Sequence, residues 1–166
     1  MKEISVKELL LNPVTAIGQD WMLITAGTKE AGYNTMTASW GHIGELWGLP
    51  TSVIYVRPQR YTKQFVDRED LYTLCFFKDK KQELAYLGSH SGRDGDKVAA
   101  VGFTPAFGEG FTYFEEASLV LVCRKLYRAP LKQEGFLDTA VMDKCYPEKD
   151  FHDLYVGEIV KVLAAE

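Results

Sequence analysis

The 166-residue chain is poor in the residues that staple or metallate small proteins, with three cysteines and three histidines. Cys75, Cys123 and Cys145 are an odd number, lie far apart and include no C-x-x-C pair, which fits neither a disulfide framework nor a zinc site. His42, His90 and His152 show no ligand spacing, so no metal is expected. Positive charge is also short: 19 Lys and Arg against 23 Asp and Glu leave a net charge of −4. No global positive field recruits nucleic acid or an acidic membrane surface, and any anion must be met locally. No stretch approaches the roughly 20 apolar residues of a membrane span, and the opening "MKEISVKELL" lacks a signal peptide's apolar run. Two phosphate fingerprints are missing as well. There is no G-x-x-x-x-G-K-[ST], and no G-x-G-x-x-G follows a strand, which excludes a P-loop and a Rossmann dinucleotide site. These absences point to a reducing cytoplasm, with no membrane and no nucleic-acid partner.

What is present is ordinary globular composition, 46% apolar and 25% charged, with a high aromatic share of 13%. No repeat or linker divides the sequence, so residues 1–166 are expected to form one domain with a real core. Runs rich in β-branched and aromatic residues predict strands over 21–26, 35–40, 53–57, 71–77, 118–129 and 154–162. Short helices are expected over 62–67, 80–87 and 96–101, and the Gly and Pro clusters at 41–50 and 102–110 read as loops. The late strands "EASLVLVCRKLYRAPL" and "HDLYVGEIVKVLAAE" alternate only loosely, which suits a curled sheet covered on both faces of some strands. The expected fold class is therefore mostly β, a small antiparallel barrel with short helices.

Three stretches mix hydroxyls, glycines and cations: "NTMTASWG" (34–41), "RPQRYT" (57–62) and "SHSGRDGDK" (89–97). In the second, Arg57 and Arg60 precede a helix start at which Thr62 is available as N-cap, an arrangement suited to a phosphate or equally to an ordinary cap with solvated arginines. In the third, glycines let backbone N–H groups approach an anion, although Asp94 and Asp96 are also placed to pair with Arg93 and Lys97. Read as a strand, the first puts Thr35, Thr37 and Ser39 on one face and Met36, Ala38 and Trp40 on the other. One row is expected to meet a polar ligand and the other the core, unless the threonines simply face solvent.

In this order and spacing the three segments, with the closing "HDLYVGEIV", resemble the flavin reductase-like family of FMN-binding split β-barrels, particularly its flavoredoxin-like members. The resemblance implies a homodimer in which each split barrel binds one FMN. By position it implies that Thr37, Ala38, Ser39 and Trp40 run along the flavin and ribityl chain. Arg57, Tyr61 and Thr62 are implied at the second contact, and Ser91, Gly92, Arg93 and Lys97 over the phosphate. The implied activity is hydride transfer from NADH or NADPH to flavin and onward to an acceptor. The alternative is a flavoredoxin-like carrier fed by a redox protein, or service to a monooxygenase partner. His152 resembles the position of a histidine that approaches the nicotinamide in some reductases of this fold, but its lead-in is Asp150 and Phe151, not Gly-Asp. A structural role for it stays open. Tyr113, Phe114 and Trp47 could line the flavin or a dimer seam, with core packing as the default.

Overall fold

A computed structural model describes residues 1–166. Its strands are β1 (Lys2–Ile4), β2 (Met22–Thr28), β3 (Gly32–Ala38), β4 (Gly41–Leu46), β5 (Leu49–Val56), β6 (Leu71–Phe76), β7 (Pro105–Gly108), β8 (Phe111–Phe114), β9 (Leu119–Pro130) and β10 (Asp153–Ala164). Strands account for 42% of the chain, so the mostly β expectation holds. Eight of them form one antiparallel sheet in the order β3-β2-β6-β9-β10-β5-β4, with β1 added along β10. Strands β7 and β8 form a separate hairpin.

The two ends of this sheet, β3 and β4, do not pair with each other, although only Ser39 and Trp40 separate them in sequence. The sheet curls around a core to which Met22, Ile24, Met36, Ile54, Leu74, Leu121 and Tyr155 contribute from six different strands. A second core lies on the outer face of β2, β6 and β9, where Leu23, Cys75, Val120 and Val122 meet the helices and Phe111 and Phe114 of the hairpin. Being covered on both faces explains why these strands read as unbroken apolar runs instead of alternating. Cys75 and Cys123 are fully buried small hydrophobes, and Phe114 belongs to the core, whereas Trp47 is exposed against Tyr127.

The Gly and Pro clusters differ from expectation. Residues 41–50 hold a tight hairpin in which Leu46 pairs with Leu49 across Trp47 and Gly48, both at positive φ (58° and 72°). That is the backbone a two-residue mirror-image turn requires, and Gly48 suits it, so the cluster marks a strand reversal and not a loop. Residues 102–110 likewise contain β7 and the turn into β8. Strands β1, β4, β7 and β8 were not expected. The helices are α1 (Pro13–Thr15, continuing as a π-turn to Asp20), α2 (Thr62–Arg68), α3 (Lys81–Ser89), α4 (Lys97–Ala100) and α5 (Thr139–Cys145), all short. None is long and apolar enough to cross a membrane.

Helix α2 is locked to the closing strands by a compact ionic cluster. Lys63 Nζ lies 2.8 Å from Asp67 and 2.9 Å from Asp153, Arg128 Nη2 is 2.6 Å from Asp153, and the Tyr155 hydroxyl donates to Asp67 at 2.6 Å. This clamp fixes the start of α2, and with it Arg60 and Tyr61, at the open side of the sheet.

Candidate functional site

Where the sheet fails to close, a cleft of about 190 Å³ runs between the end of β3 and the ends of β5 and β10. Thr37, Ala38, Ser39 and Trp40 form one wall, and Tyr55, Arg57, Arg60 and His152 the other. A second hollow, about 210 Å³, adjoins it through Met36 and Arg60, and brings together Tyr61, Thr62, Ser91, Gly92, Arg93 and Lys97. All eleven residues expected to bind the cofactor therefore line one of two adjoining hollows.

Their individual roles differ from a simple reading of the motifs. Thr35 is fully buried: its hydroxyl lies 2.8 Å from that of Thr25 and 3.2 Å from the Ile24 carbonyl. The Thr37 hydroxyl donates to the Leu84 carbonyl at 2.5 Å, because α3 packs over β3. The expected polar row on β3 is thus spent inside the protein, and only Ser39 keeps a free hydroxyl. Thr62 is not the N-cap of α2. It is the first helical residue, is 1% exposed, and accepts from Asn34 Nδ2 at 2.8 Å, while Tyr61 occupies the cap position without a side-chain bond. Arg57 donates to Asp150 and to the Cys145 carbonyl (2.9 Å), which turns most of its fork away from the cleft.

The anion-binding capacity sits elsewhere. Arg60 lines both hollows and spends one donor on the Gly88 carbonyl (3.0 Å), leaving the rest of its fork uncommitted. Burial pulls its pKa down. Lys97 Nζ is held by the carbonyls of Leu87 (2.7 Å) and His90 (2.9 Å), so it ties the end of α3 to α4. Burial, and then the charge on Arg60, pushes Lys97 down to about 8. Asp96 does not pair with Lys97; it caps α4 through the amides of Val98 and Ala99. The Arg93 guanidinium lies 4.5 Å above the Tyr61 ring. No carboxylate lines this hollow. Cations gathered with hydroxyls and without a counter-charge are a donor set that a phosphate dianion satisfies. Gly92 leaves room for the Asn34 side chain, since a Cβ there would stand 2.2 Å from Asn34 Oδ1 and push aside an amide that is bonded to Thr62.

Arg60 was visible in "RPQRYT" as one of two cations, yet the resemblance carried only Arg57 into the site. Asn34 and Tyr55 carried no signal, because their roles depend on strands that meet only in three dimensions.

His152 stands at the head of β10, 7% exposed, with Nδ1 2.7 Å from the Tyr146 hydroxyl and its ring 5.1 Å from that of Trp40. Burial first, and the neighbouring Arg57 charge second, push it from an ordinary 6.5 down to about 4, against the opposing pull of Asp150. The ring is neutral at pH 7. Beyond Ser39, Trp40 and Tyr55 the cleft opens into a larger cavity of about 580 Å³, and no Lys, Arg, Asp or Glu lines it.

Fold and site together define an open-sided β-barrel with a groove that is cationic at one end and aromatic at the other. Residues 15–166 match the model of the flavin reductase like domain, and the chain belongs to that family. Among solved structures, the flavoredoxin of Methanosarcina acetivorans is similar at 21% identity and a TM-score of 0.67, over 89% of this chain and 69% of that one. An FMN-binding protein from Thermus thermophilus, solved with p-hydroxybenzaldehyde, aligns at 22% identity and 0.68, over 100% and 83%. A Streptomyces globisporus NADH:FAD oxidoreductase, in complex with NAD and FAD fragments, aligns at 15% and 0.66, over 88% and 74%. At these identities the likeness is one of fold, the split barrel. No curated protein matches the sequence.

Proposed function

We propose that the chain is an FMN-binding oxidoreductase of the flavin reductase type, passing electrons from NADH or NADPH through bound flavin to an acceptor. The observation that supports this best is the polarity of the groove. A carboxylate-free cationic hollow leads into a cleft walled by strand backbone and aromatic rings, and FMN has the same polarity, phosphate at one end and flat ring at the other. When bound, FMN supplies the hydride chemistry.

The chain's own residues bind, orient and shield. Arg60 and Arg93, with the Ser91 hydroxyl, hold the phosphate, and Lys97 holds the walls of that hollow together. The outer edge of β3 has no partner strand, so backbone groups between Met36 and Ser39 are open to the polar rim of the ring. Trp40 and Tyr55 wall the far end, where the cleft meets the larger cavity. His152 remains uncharged at pH 7, so it offers the cleft a hydrogen-bonding ring without a positive charge.

One observation favours the second reading, a flavoredoxin-like carrier: the cavity beside the cleft has no cation for a dinucleotide's pyrophosphate. Anaerobic addition of one equivalent of NADH or NADPH to the FMN-loaded protein separates the two. Rapid bleaching of the flavin is expected for a reductase, and tight FMN binding with sluggish bleaching by both nucleotides overturns that assignment in favour of a carrier. A homodimer belongs to the same proposal. Leu10 (97%), Leu137 (101%) and Val14 (77%) are apolar side chains left open in the single chain. Sedimentation is expected to give twice the 18.7 kDa monomer mass, and a monomer at micromolar concentration removes the dimer.

A further inference from the structure

We propose that Tyr146 is a positioning residue that holds His152 in the tautomer carrying its proton on Nε2, so that the imidazole serves the cleft as a hydrogen-bond donor and not as a base. Tyr146 directly follows α5, is 5% exposed, and packs its ring against Trp40, Phe136 and Phe151. None of these side chains offers an oxygen or nitrogen acceptor, and the Arg57 guanidinium, 5.0 Å above the same ring, holds only donors. The hydroxyl has one partner in the protein, Nδ1 of His152 at 2.7 Å. Burial raises the Tyr146 pKa, against the opposing pull of Arg57, so the phenol proton is present at pH 7 and needs an acceptor. A buried hydroxyl proton aimed at nothing costs about 1–3 kcal/mol, so it goes to Nδ1.

Nδ1 is then an acceptor, and the single proton of a neutral imidazole falls to Nε2. Protonating both nitrogens is no alternative, because burial and the Arg57 charge keep the ring neutral at pH 7. Nε2 has no partner within the protein, yet it is not walled off, since Asp150 Oδ1 is the only buried side-chain polar atom left unpaired. His152 lines the cleft and does not line the larger cavity, so the cleft is where the Nε2 proton is free to bond. A donor on that wall favours a ring edge rich in carbonyl oxygens and bare nitrogens over an edge of N–H groups. The polar rim of the flavin ring carries more acceptors than donors. What the donor meets therefore rests on the FMN reading above, whereas the Tyr146–His152 pair does not.

Nitrogen NMR of the full chain, labelled at histidine with nitrogen-15 and free of FMN at pH 7, reads the tautomer directly, with His152→Asn identifying the signal. The expected result is a proton on Nε2, a bare Nδ1, and a Tyr146 hydroxyl proton coupled to Nδ1. Tyr146→Phe keeps the ring packing and removes the donor. It is expected to abolish that coupling, to shift the Nδ1 signal toward that of an unbonded nitrogen, and to weaken FMN binding about two- to tenfold by flavin fluorescence, the worth of one neutral hydrogen bond. In a His152→Ala background the same substitution is expected to change FMN affinity less than about twofold, because Tyr146 acts only through the ring it holds. A proton on Nδ1, or a doubly protonated ring at pH 7, overturns the inference. So does a Tyr146→Phe variant that binds FMN as tightly as the parent, or one that loses the same affinity with and without the imidazole. The expected signals in a protein with no FMN affinity support the hold of Tyr146 on His152 while removing the proposed function.

Discussion

Lowering the pH from 7 to 4 is expected to cost the protein about 3 kcal/mol through His152 alone. The magnitude follows from its setting. Its folded pKa is depressed to about 4 from an ordinary 6.5 by burial and by Arg57, with Arg60 adding to the push and Asp150 opposing it. Between these two values the unfolded chain binds a proton that the folded chain refuses, so stability falls as the pH falls through that window and is flat above it. About 2 kcal/mol is lost by pH 5 and about 3 kcal/mol by pH 4. Urea unfolding of the FMN-free protein, followed by circular dichroism at pH 7, 6, 5 and 4, measures this directly. The comparison is His152→Asn, whose side-chain oxygen can still accept from Tyr146 but does not titrate. Asp67, Asp150 and Asp153 also have lowered pKa values, so their losses come at lower pH and are shared by both proteins. The wild type should lose about 3 kcal/mol more than the variant between pH 7 and pH 4. Parallel curves would refute the reasoning and would mean that His152 is solvated or already charged.

Arg60→Ala is expected to weaken FMN binding about ten- to hundredfold, the loss of a hydrogen bond to a charged group worth about 1.5–3 kcal/mol, as read by quenching of flavin fluorescence. Lys97→Ala should instead lower the unfolding free energy by about 1–3 kcal/mol per carbonyl left unsatisfied, because its ammonium serves Leu87 and His90; unchanged stability with weaker FMN binding would reverse its assigned role. Gly157→Ala places a Cβ 2.4 Å from the hydroxyl oxygen of Tyr72, which is buried and held 2.7 Å from Ser52. A loss of about 1–3 kcal/mol in urea unfolding is expected, and a neutral substitution would show that β10 shifts freely there.

Much of the scaffold was legible because the strands covered on both faces are strong local signals. The runs 71–77 and 118–129 coincide with β6 and β9 to within a residue or so at each end. Strand β4 was not legible, since its residues are mostly exposed and its glycines imitate a loop until Leu46 and Leu49 are seen to pair. The site was legible as a set of segments and not as a set of roles. Thr35 and Thr37 look alike in sequence to any ligand-facing hydroxyl, and only the approach of β2 and α3 reveals that the protein consumes them. Arg57 and Arg60 are chemically equivalent in "RPQRYT". What separates them is Asp150, 93 residues further along, which claims Arg57 and leaves Arg60 to the hollow.

The two-residue bridge of Ser39 and Trp40 carries one more consequence. It links strands at opposite margins of the sheet, and three virtual bonds of about 3.8 Å limit the gap between Ala38 and Gly41 to about 11 Å. That corner cannot swing wide like a door, so the two margins of the sheet stay close together at this end whatever fills the cleft beside them.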